Sequence, residues 1–398
     1  MKDLFEKFPK VDQYALANSL RDMDLFPYFR ELQSRQDTEV IMEGKRRIML
    51  GSNNYLGLTT EPSIIEAAKA ALEEYGTGCS GSRLLNGTLI LHQIFEKEMA
   101  EFLGKEDVVT FSTGFQSNLG IISALVGHGD SAICDRENHA SIYDGCKLSY
   151  GKMIRYKHAD MDGLEHCLKT VPESAGALIV TDGVFSMGGD IAKLPEICEL
   201  AKKYGARVMV DDAHALGVIG KGGRGSASYY GLEDQVDVYM GTFSKSLASL
   251  GGYMAASAEV VDFVRCYSRP YIFSASVTPS CIAAATASLR FLKAHPERVE
   301  QLQAIAGYMR DQLIAKGVKI RVAETPIIPI FTYDTIRTLK VQKALYEKGV
   351  YVNASIPPST APGEALLRVS LMATHTKDQV DEAVEIIAET MKEFPEEA

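Results

Sequence analysis

The sequence predicts an α/β protein, with a large, doubly wound, mostly parallel sheet followed by a smaller α+β domain. Two observations carry this. From Leu89 to about residue 285, short apolar runs alternate with segments of helical periodicity, the pattern of strand–helix–strand units in a buried parallel sheet. Beyond that point long helical patterns are separated by a few isolated strands. The division expected is an N-terminal arm (1–50), a large domain (51–285) and a small C-terminal domain (286–398).

Composition narrows the class. With 46% hydrophobic and 24% charged residues the chain is an ordinary globular protein, and a net charge of -10 speaks against a nucleic-acid partner. Seven cysteines, scattered and never in a C-x-x-C pair, read as reduced thiols with neither a disulfide framework nor a zinc site. The start, Met1 to Lys7, carries acidic residues and no apolar core, so a signal peptide is not expected, and no run is long enough to span a membrane. The expectation is a cytoplasmic protein, with at most peripheral contact at the inner face of the membrane.

The elements follow in order. Residues 1 to about 45 hold two short amphipathic pieces (Tyr14 to Leu20, Pro27 to Leu32) and read as an arm that packs on a partner subunit or covers a cleft, or as a loose leader. Arg47 to Leu50 is a strand entering the polar turn Gly51-Ser52-Asn53-Asn54-Tyr55, and Pro62 opens a helix to Tyr75. Gly76-Thr77-Gly78-Cys79-Ser80-Gly81 matches G-x-G-x-x-G, but it follows a helix where a dinucleotide fingerprint needs a strand, so it reads as a flexible loop. A helix then runs from Leu89 to Leu103. Strands are expected at Val108 to Phe111, Ser131 to Cys134, Met153 to Tyr156, Ala177 to Thr181, Arg207 to Val210 and Val236 to Met240. The small domain should hold helices at 281–293, 299–316 and 339–346. Its strands should fall at 320–322, 328–332 and 366–371, before a last helix capped by His375-Thr376-Lys377.

Polar residues collect where the central strands end: Asn138-His139 after one, Thr181-Asp182 after a second, Asp211-Asp212-Ala213-His214 after a third and Thr242-Phe243-Ser244-Lys245 after a fourth. Ligands of doubly wound sheets bind beyond those ends. A lysine there, semi-buried among small residues, gives up its proton readily and suits Schiff-base chemistry with a carbonyl cofactor. A surface lysine in a Gly/Ser loop is the plain alternative. Ser112-Thr113-Gly114-Phe115 turns from strand into helix, an arrangement that favours a phosphate. Arg368, amid an apolar strand, is either a snorkelling surface arginine or a bidentate carboxylate clamp.

Pyridoxal 5'-phosphate accounts for all these parts. Lys245 would bind its aldehyde, and Asp211 would pair with the pyridine nitrogen. His139 would stack on the ring and His214 would bond the ring hydroxyl. The backbone N–H groups of Gly114 and Phe115, with Thr242 and Ser244, would hold the phosphate. A metal site at Asp211, Asp212 and His214 lacks a completing cluster, so no metal is expected.

Four motifs, Asn138-His139-Ala140-Ser141-Ile142, Thr181 to Met187, Val210 to Gly217 and Gly241 to Ser246, resemble the α-oxoamine synthase family of fold-type I pyridoxal-phosphate enzymes across nearly the whole chain. The family decarboxylatively condenses a small amino acid with an acyl-CoA. The loop Gly-Thr-Phe-Ser-Lys-Ser differs from the Gly-Thr-Leu-Gly-Lys-Ala type of members that use glycine or alanine. Through Phe243, Ser244 and Ser246 it implies L-serine as the amino acid and a long-chain acyl-CoA (palmitoyl-CoA) as its partner. The resemblance further implies Ser186 at the cofactor and the substrate carboxylate gripped by Arg368 with Asn53 or Asn54. It also implies a homodimer with interface active sites, in which Ser274 and Ser276 reach the phosphate of the other subunit. Arg83 and nearby basic residues are candidates for CoA. One departure is Ile356 before Pro357-Pro358, where some bacterial members carry arginine; either Arg368 does more of the carboxylate grip alone or the loop works differently. Rival expectations are the sister condensations of glycine with acetyl-CoA or alanine with pimeloyl-CoA, and a catalytically silent regulatory subunit.

Overall fold

The computed structural model describes residues 3–396. Chain order begins with a 3-10 turn (Leu4–Lys10) and a helix (Asp12–Asp22), then a hairpin of β1 (Glu39–Met42) and β2 (Lys45–Met49). Glu43 and Gly44 form its two-residue turn with φ of 51° and 75°, the left-handed pair that matches the twist of the flanking strands. The piece expected at 27–32 forms no helix; Leu32 only bridges Met42.

The central sheet is built from β3 (Asp107–Phe111), β4 (Ser131–Asp135), β5 (Lys152–Tyr156), β6 (Ala177–Asp182), β7 (Arg207–Asp211), β8 (Val238–Thr242) and β9 (Gly252–Ala256). Their order is β3-β9-β8-β7-β6-β4-β5, parallel throughout except for β9, which runs antiparallel to both β3 and β8. All residues of β4, β8 and β9 are buried, because helices cover both faces; this is why these strands read as unbroken apolar runs. β9 escaped the sequence reading because it opens on Gly252, whose pair with Gly251 looks like a loop. A Cβ at Gly252 would lie 2.4 Å from Ser117 Oγ and 2.9 Å from Gly114 Cα, so the start of the Gly114–Leu125 helix presses directly on this strand.

The smaller domain pairs β10 (Ile327–Tyr333), β12 (Asn353–Ser355) and β13 (Ala365–Ser370) in the order β10-β13-β12, while β11 (Val350–Tyr351) runs parallel to β2 in a sheet ordered β1-β2-β11. The strand expected at 320–322 is reduced to one bridge, Ile320 to Ile330. Both expected divisions cut through packed structure. Residue 50 lies just beyond β2, whose Ile48 sits in one apolar cluster with Leu302, Ile328 and Leu367. Residue 285 falls inside the Pro279–Ala294 helix, whose Ile282 and Leu289 belong with Phe95 and Val108 of the large core. The switch comes within the next helix (Glu297–Ala315), where Val299 joins the large core and Leu302 the small one.

His158, just past β5, braces the frame of the site. Its ring nitrogens lie 3.1 Å from Asp135 Oδ1 at the end of β4 and 2.8 Å from Asp190 Oδ2. Burial alone would lower its pKa, but the two carboxylates outweigh it and hold the imidazole up at about 10. A folded pKa above the ordinary 6.5 means the stabilisation is complete below about pH 6.5 and fades as pH rises through 10. His158→Gln is expected to cost roughly 1–2 kcal/mol at pH 7, partial exposure keeping it at the low end, with the gap to wild type narrowing near pH 10.5. Urea unfolding at the two pH values reads it directly.

Candidate active site

β8, β7, β6 and β4 are neighbours in the sheet, so the four polar strand ends meet along one edge. They line a cavity of about 230 Å³ with Gly114, Phe115, His139, Asp211, Thr242 and Lys245 on its walls. A second cavity of about 390 Å³ shares His139, His214 and Lys245 and extends to Asn53, Ser186 and Arg368, with Pro27 and Tyr28 of the N-terminal segment on its wall. A larger cavity, about 770 Å³, lies at the opposite edge of the sheet among Ser131, Ala177, Arg207 and Val238 and holds none of these residues. Size does not mark the site here; convergent polar groups do.

Lys245 follows β8 in a loop tied by Phe243 N–H to Gly251 O (2.9 Å) and Ser249 N–H to Phe243 O (3.0 Å). The side chain is partly exposed through the cavity it lines, yet dense protein surrounds its amine. Burial pushes the pKa down to about 8, against the upward pull of Asp211 and Asp182. Phe243 lines neither cavity. It is fully buried edge-on to Phe95, centroids 4.7 Å apart, and Ser246 is buried as well. Of the three residues that distinguished this loop, Ser244 alone faces the site. The loop thus carries its distinction mainly through packing.

Asp211 is buried and doubly bonded: Oδ1 accepts from Ala213 N–H (2.9 Å) and Oδ2 from the Asn118 amide (2.7 Å). Beside it, burial first and then Asp211 itself push the Asp182 carboxyl far up. His214 is held neutral by burial, with Lys245 and Arg368 adding to the effect. Its Nδ1 lies 2.7 Å from the Tyr55 hydroxyl, which also accepts from Arg368 at 3.2 Å. With Arg368 donating to its oxygen, the Tyr55 hydroxyl has two acceptors for its proton, His214 Nδ1 at 2.7 Å and Asn53 Oδ1 at 3.4 Å; the shorter contact favours Nδ1, which leaves the His214 Nε2 hydrogen free.

The turn before the Gly114–Leu125 helix forms a cradle. Thr113 caps it by accepting from Gln116 N–H (3.1 Å), and the Thr242 and Ser244 hydroxyls stand 2.9 Å apart opposite the first helical turn. A Cβ at residue 114 would lie 2.7 Å from Thr242 Oγ1, so glycine keeps the backbone donors and hydroxyls in one small space. An anion cradle, a buried carboxylate and a lysine of lowered pKa in one cavity fit the phosphate, ring nitrogen and aldehyde of pyridoxal phosphate.

Arg368 is 3% exposed, which rules out the surface reading. From mid-β13 it donates to the Ser186 carbonyl, to Ser370 Oγ (2.6 Å) and to Asn53 Oδ1 (3.0 Å), with its guanidinium on the wall of the second cavity. Ser186 thus supports Arg368 from the second cavity and does not line the first. Asn53 is at the site. Asn54 is not: its Oδ1 accepts from Leu58 and Thr59 N–H and its amide donates to Thr59 Oγ1, closing the turn. Ser274 and Ser276 line neither cavity of their own chain, and Ser276 donates to the Gly81 carbonyl (3.1 Å). Arg83 is buried in a pair with Glu96 (2.7 Å), so it is spoken for. Ile356 packs with Leu20, Leu339 and Ala365, an apolar anchor where a cation was considered.

Tyr55, Asn118 and Ser141 were missed. Tyr55 adjoins Asn53 in a turn marked as polar, and Asn118 stands one helical turn beyond Gly114. Spacing therefore held a signal for both. Among the described residues there is no cluster of three or more His, Cys, Asp or Glu able to hold a metal, and no helix long and apolar enough to cross a membrane.

Comparison with known proteins places the chain in a family and a fold. The profile of the aminotransferase class I and II family matches residues 45–387. A serine palmitoyltransferase of Sphingobacterium spiritivorum is 49% identical over 384 residues, 96% of each chain. An 8-amino-7-oxononanoate synthase of Symbiobacterium thermophilum is 42% identical over 378 residues, 95% of this chain and 96% of that one. In three dimensions the chain is similar to a serine palmitoyltransferase from S. paucimobilis with a bound PLP–myriocin aldimine, at TM-score 0.95 and 38% identity, covering 99% of both. The chain belongs to the aminotransferase class I and II family.

Proposed function

We propose that this chain uses pyridoxal 5'-phosphate to condense L-serine with palmitoyl-CoA, giving 3-ketodihydrosphingosine, CoA and carbon dioxide. The observation that carries the reading is Lys245, Asp211 and His214 on one cavity with the buried Arg368 facing them across the next. Pyridoxal phosphate supplies an electron sink for the charge that develops on the serine Cα. The chain's residues do the rest. Asp211, fixed by Ala213 and Asn118, holds a proton at the ring nitrogen. His214 offers its Nε2 hydrogen to the ring hydroxyl, and the 114–115 backbone with Thr242 and Ser244 binds the phosphate. Arg368 and Asn53 hold the serine carboxylate, which fixes the rotation about Cα and presents its hydrogen to Lys245. With a pKa near 8, Lys245 is close to the working pH and suited to take that proton. His139, on the wall of both cavities, would stack on the ring and polarise the acyl carbonyl or the carboxylate.

The active unit is a homodimer, in which Ser274 and Ser276 of the second subunit reach the phosphate. The exposed tips Leu85 (78%) and Phe273 (73%) supply apolar surface for that contact. Membrane contact is at most peripheral and the protein is cytoplasmic. A second reading, 8-amino-7-oxononanoate synthesis, is favoured by the relative at 42% identity. Incubation with serine, glycine or alanine, each with acetyl-, pimeloyl- or palmitoyl-CoA, separates the two by product mass. Serine with palmitoyl-CoA is expected to dominate; absence of that product sinks the proposal.

A further inference from the structure

Asn118 and Ser141 connect Asp211 to His139. Asn118 lies on the Gly114–Leu125 helix and Ser141 in the first turn of the Ala140–Leu148 helix, 0% and 1% exposed. The Asn118 amide nitrogen is 2.7 Å from Asp211 Oδ2 and 2.8 Å from Ser141 Oγ. Ser141 Oγ is in turn 2.7 Å from His139 Nδ1, which the Ser141 backbone N–H also reaches, at 3.3 Å.

The direction of each bond is forced. Turning the Asn118 amide would set its oxygen against a carboxylate oxygen, acceptor against acceptor, so nitrogen faces Asp211 and Ser141. Ser141 Oγ receives an Asn118 hydrogen and gives its own to His139 Nδ1. The Ser141 backbone N–H points at the same nitrogen and cannot turn away. Nδ1 is thus an acceptor, and the ring hydrogen belongs on Nε2, the nitrogen left for the cavities that His139 lines.

We propose that Asn118 and Ser141 are positioning residues that hold His139 as its neutral Nε2–H tautomer, so that it presents a hydrogen-bond donor to the substrate. This deepens the functional reading and rests on it for the identity of the substrate. The groups facing His139 are consistent. Burial lowers its pKa, Asp211 opposes that and Lys245 adds to it. Asp182 accepts the His139 backbone N–H (3.4 Å), and His214 stands neutral across the cavity. Protonating Nδ1 would turn it against two donors at once.

The test compares wild type, Ser141→Ala, Ser141→Thr and Asn118→Ala, each labelled with ¹⁵N-histidine, by long-range ¹H–¹⁵N NMR of the cofactor-free protein between pH 6 and 8. Wild type should show His139 with a protonated Nε2 and an unprotonated Nδ1 throughout. Ser141→Ala should show mixed tautomers and imidazolium at higher pH, Asn118→Ala a smaller change in the same direction, and Ser141→Thr the wild-type pattern. With cofactor, Ser141→Ala should lose more turnover at pH 8.5, where the neutral ring divides between its two tautomers, than at pH 6.5, where the imidazolium still carries an Nε2 hydrogen. Unchanged His139 signals in both alanine variants overturn the proposal. Because the NMR reading needs no substrate, failure of the serine and palmitoyl-CoA assay would strike the functional reading and leave this one standing.

Discussion

Lys245→Ala is expected to yield a folded protein that lacks the visible absorbance of the lysine-bound cofactor and turns over at roughly a thousandth of the wild-type rate or less. Folding should survive because the lysine contributes no packed apolar surface, whereas its loop is pinned by Phe243 in the core and by backbone bonds to Gly251 and Ser249. Chemistry should not survive, since in the proposed function the residue both attaches the cofactor and takes the substrate proton. The lowered pKa gives a second handle. An ammonium cannot attack an aldehyde, so loading of cofactor-free wild type should rise about tenfold per pH unit below 8 and level off above it. Stopped-flow absorbance across pH 6 to 9 measures that curve; a flat profile would mean that burial does not tune this amine.

Arg368→Ala is expected to retain the chromophore while losing about a hundredfold in kcat/KM, most of it as a raised KM for serine. The guanidinium is anchored by the Ser186 carbonyl, Ser370 and Asn53 and faces the same cavity as Lys245. Its loss removes the charge proposed to receive the carboxylate and leaves buried acceptors unpaired, so circular dichroism must accompany the kinetics. Arg368→Lys should recover little, because an ammonium cannot reproduce a planar two-pronged donor. An unchanged serine KM in the folded alanine variant would remove Arg368 from the site.

Much of this was legible in the sequence, for physical reasons that also explain the gaps. β4, β6, β7 and β8 are buried on both faces, which makes them continuous apolar runs, and their polar ends stand out against that background. Lys245, Asp211, His214 and His139 therefore declared themselves as strand-end residues. β9 did not, because close approach of the Gly114–Leu125 helix demands glycine at its start. Nor did β1 and the hairpin, of which only the buried end of β2 was legible as the strand at Arg47 to Leu50, because the exposed Lys45 and Arg46 open β2 without an apolar signal. Asn54 and Ser186 were expected at the site from the family resemblance, yet one closes a turn and the other acts through its carbonyl. Asn118 stands one helical turn beyond Gly114, but Ser141 meets it, and through it Asp211, only after two helices have docked on the sheet, a juxtaposition that no local spacing encodes.

The central claim is that Lys245 is the cofactor's attachment point on the edge where four strands end. Borohydride reduction of the purified holoprotein, followed by digestion and tandem mass spectrometry, tests it without reference to any substrate. The account predicts a phosphopyridoxyl group on Lys245 and on no other lysine; a group on a different lysine, or none on any, would contradict it.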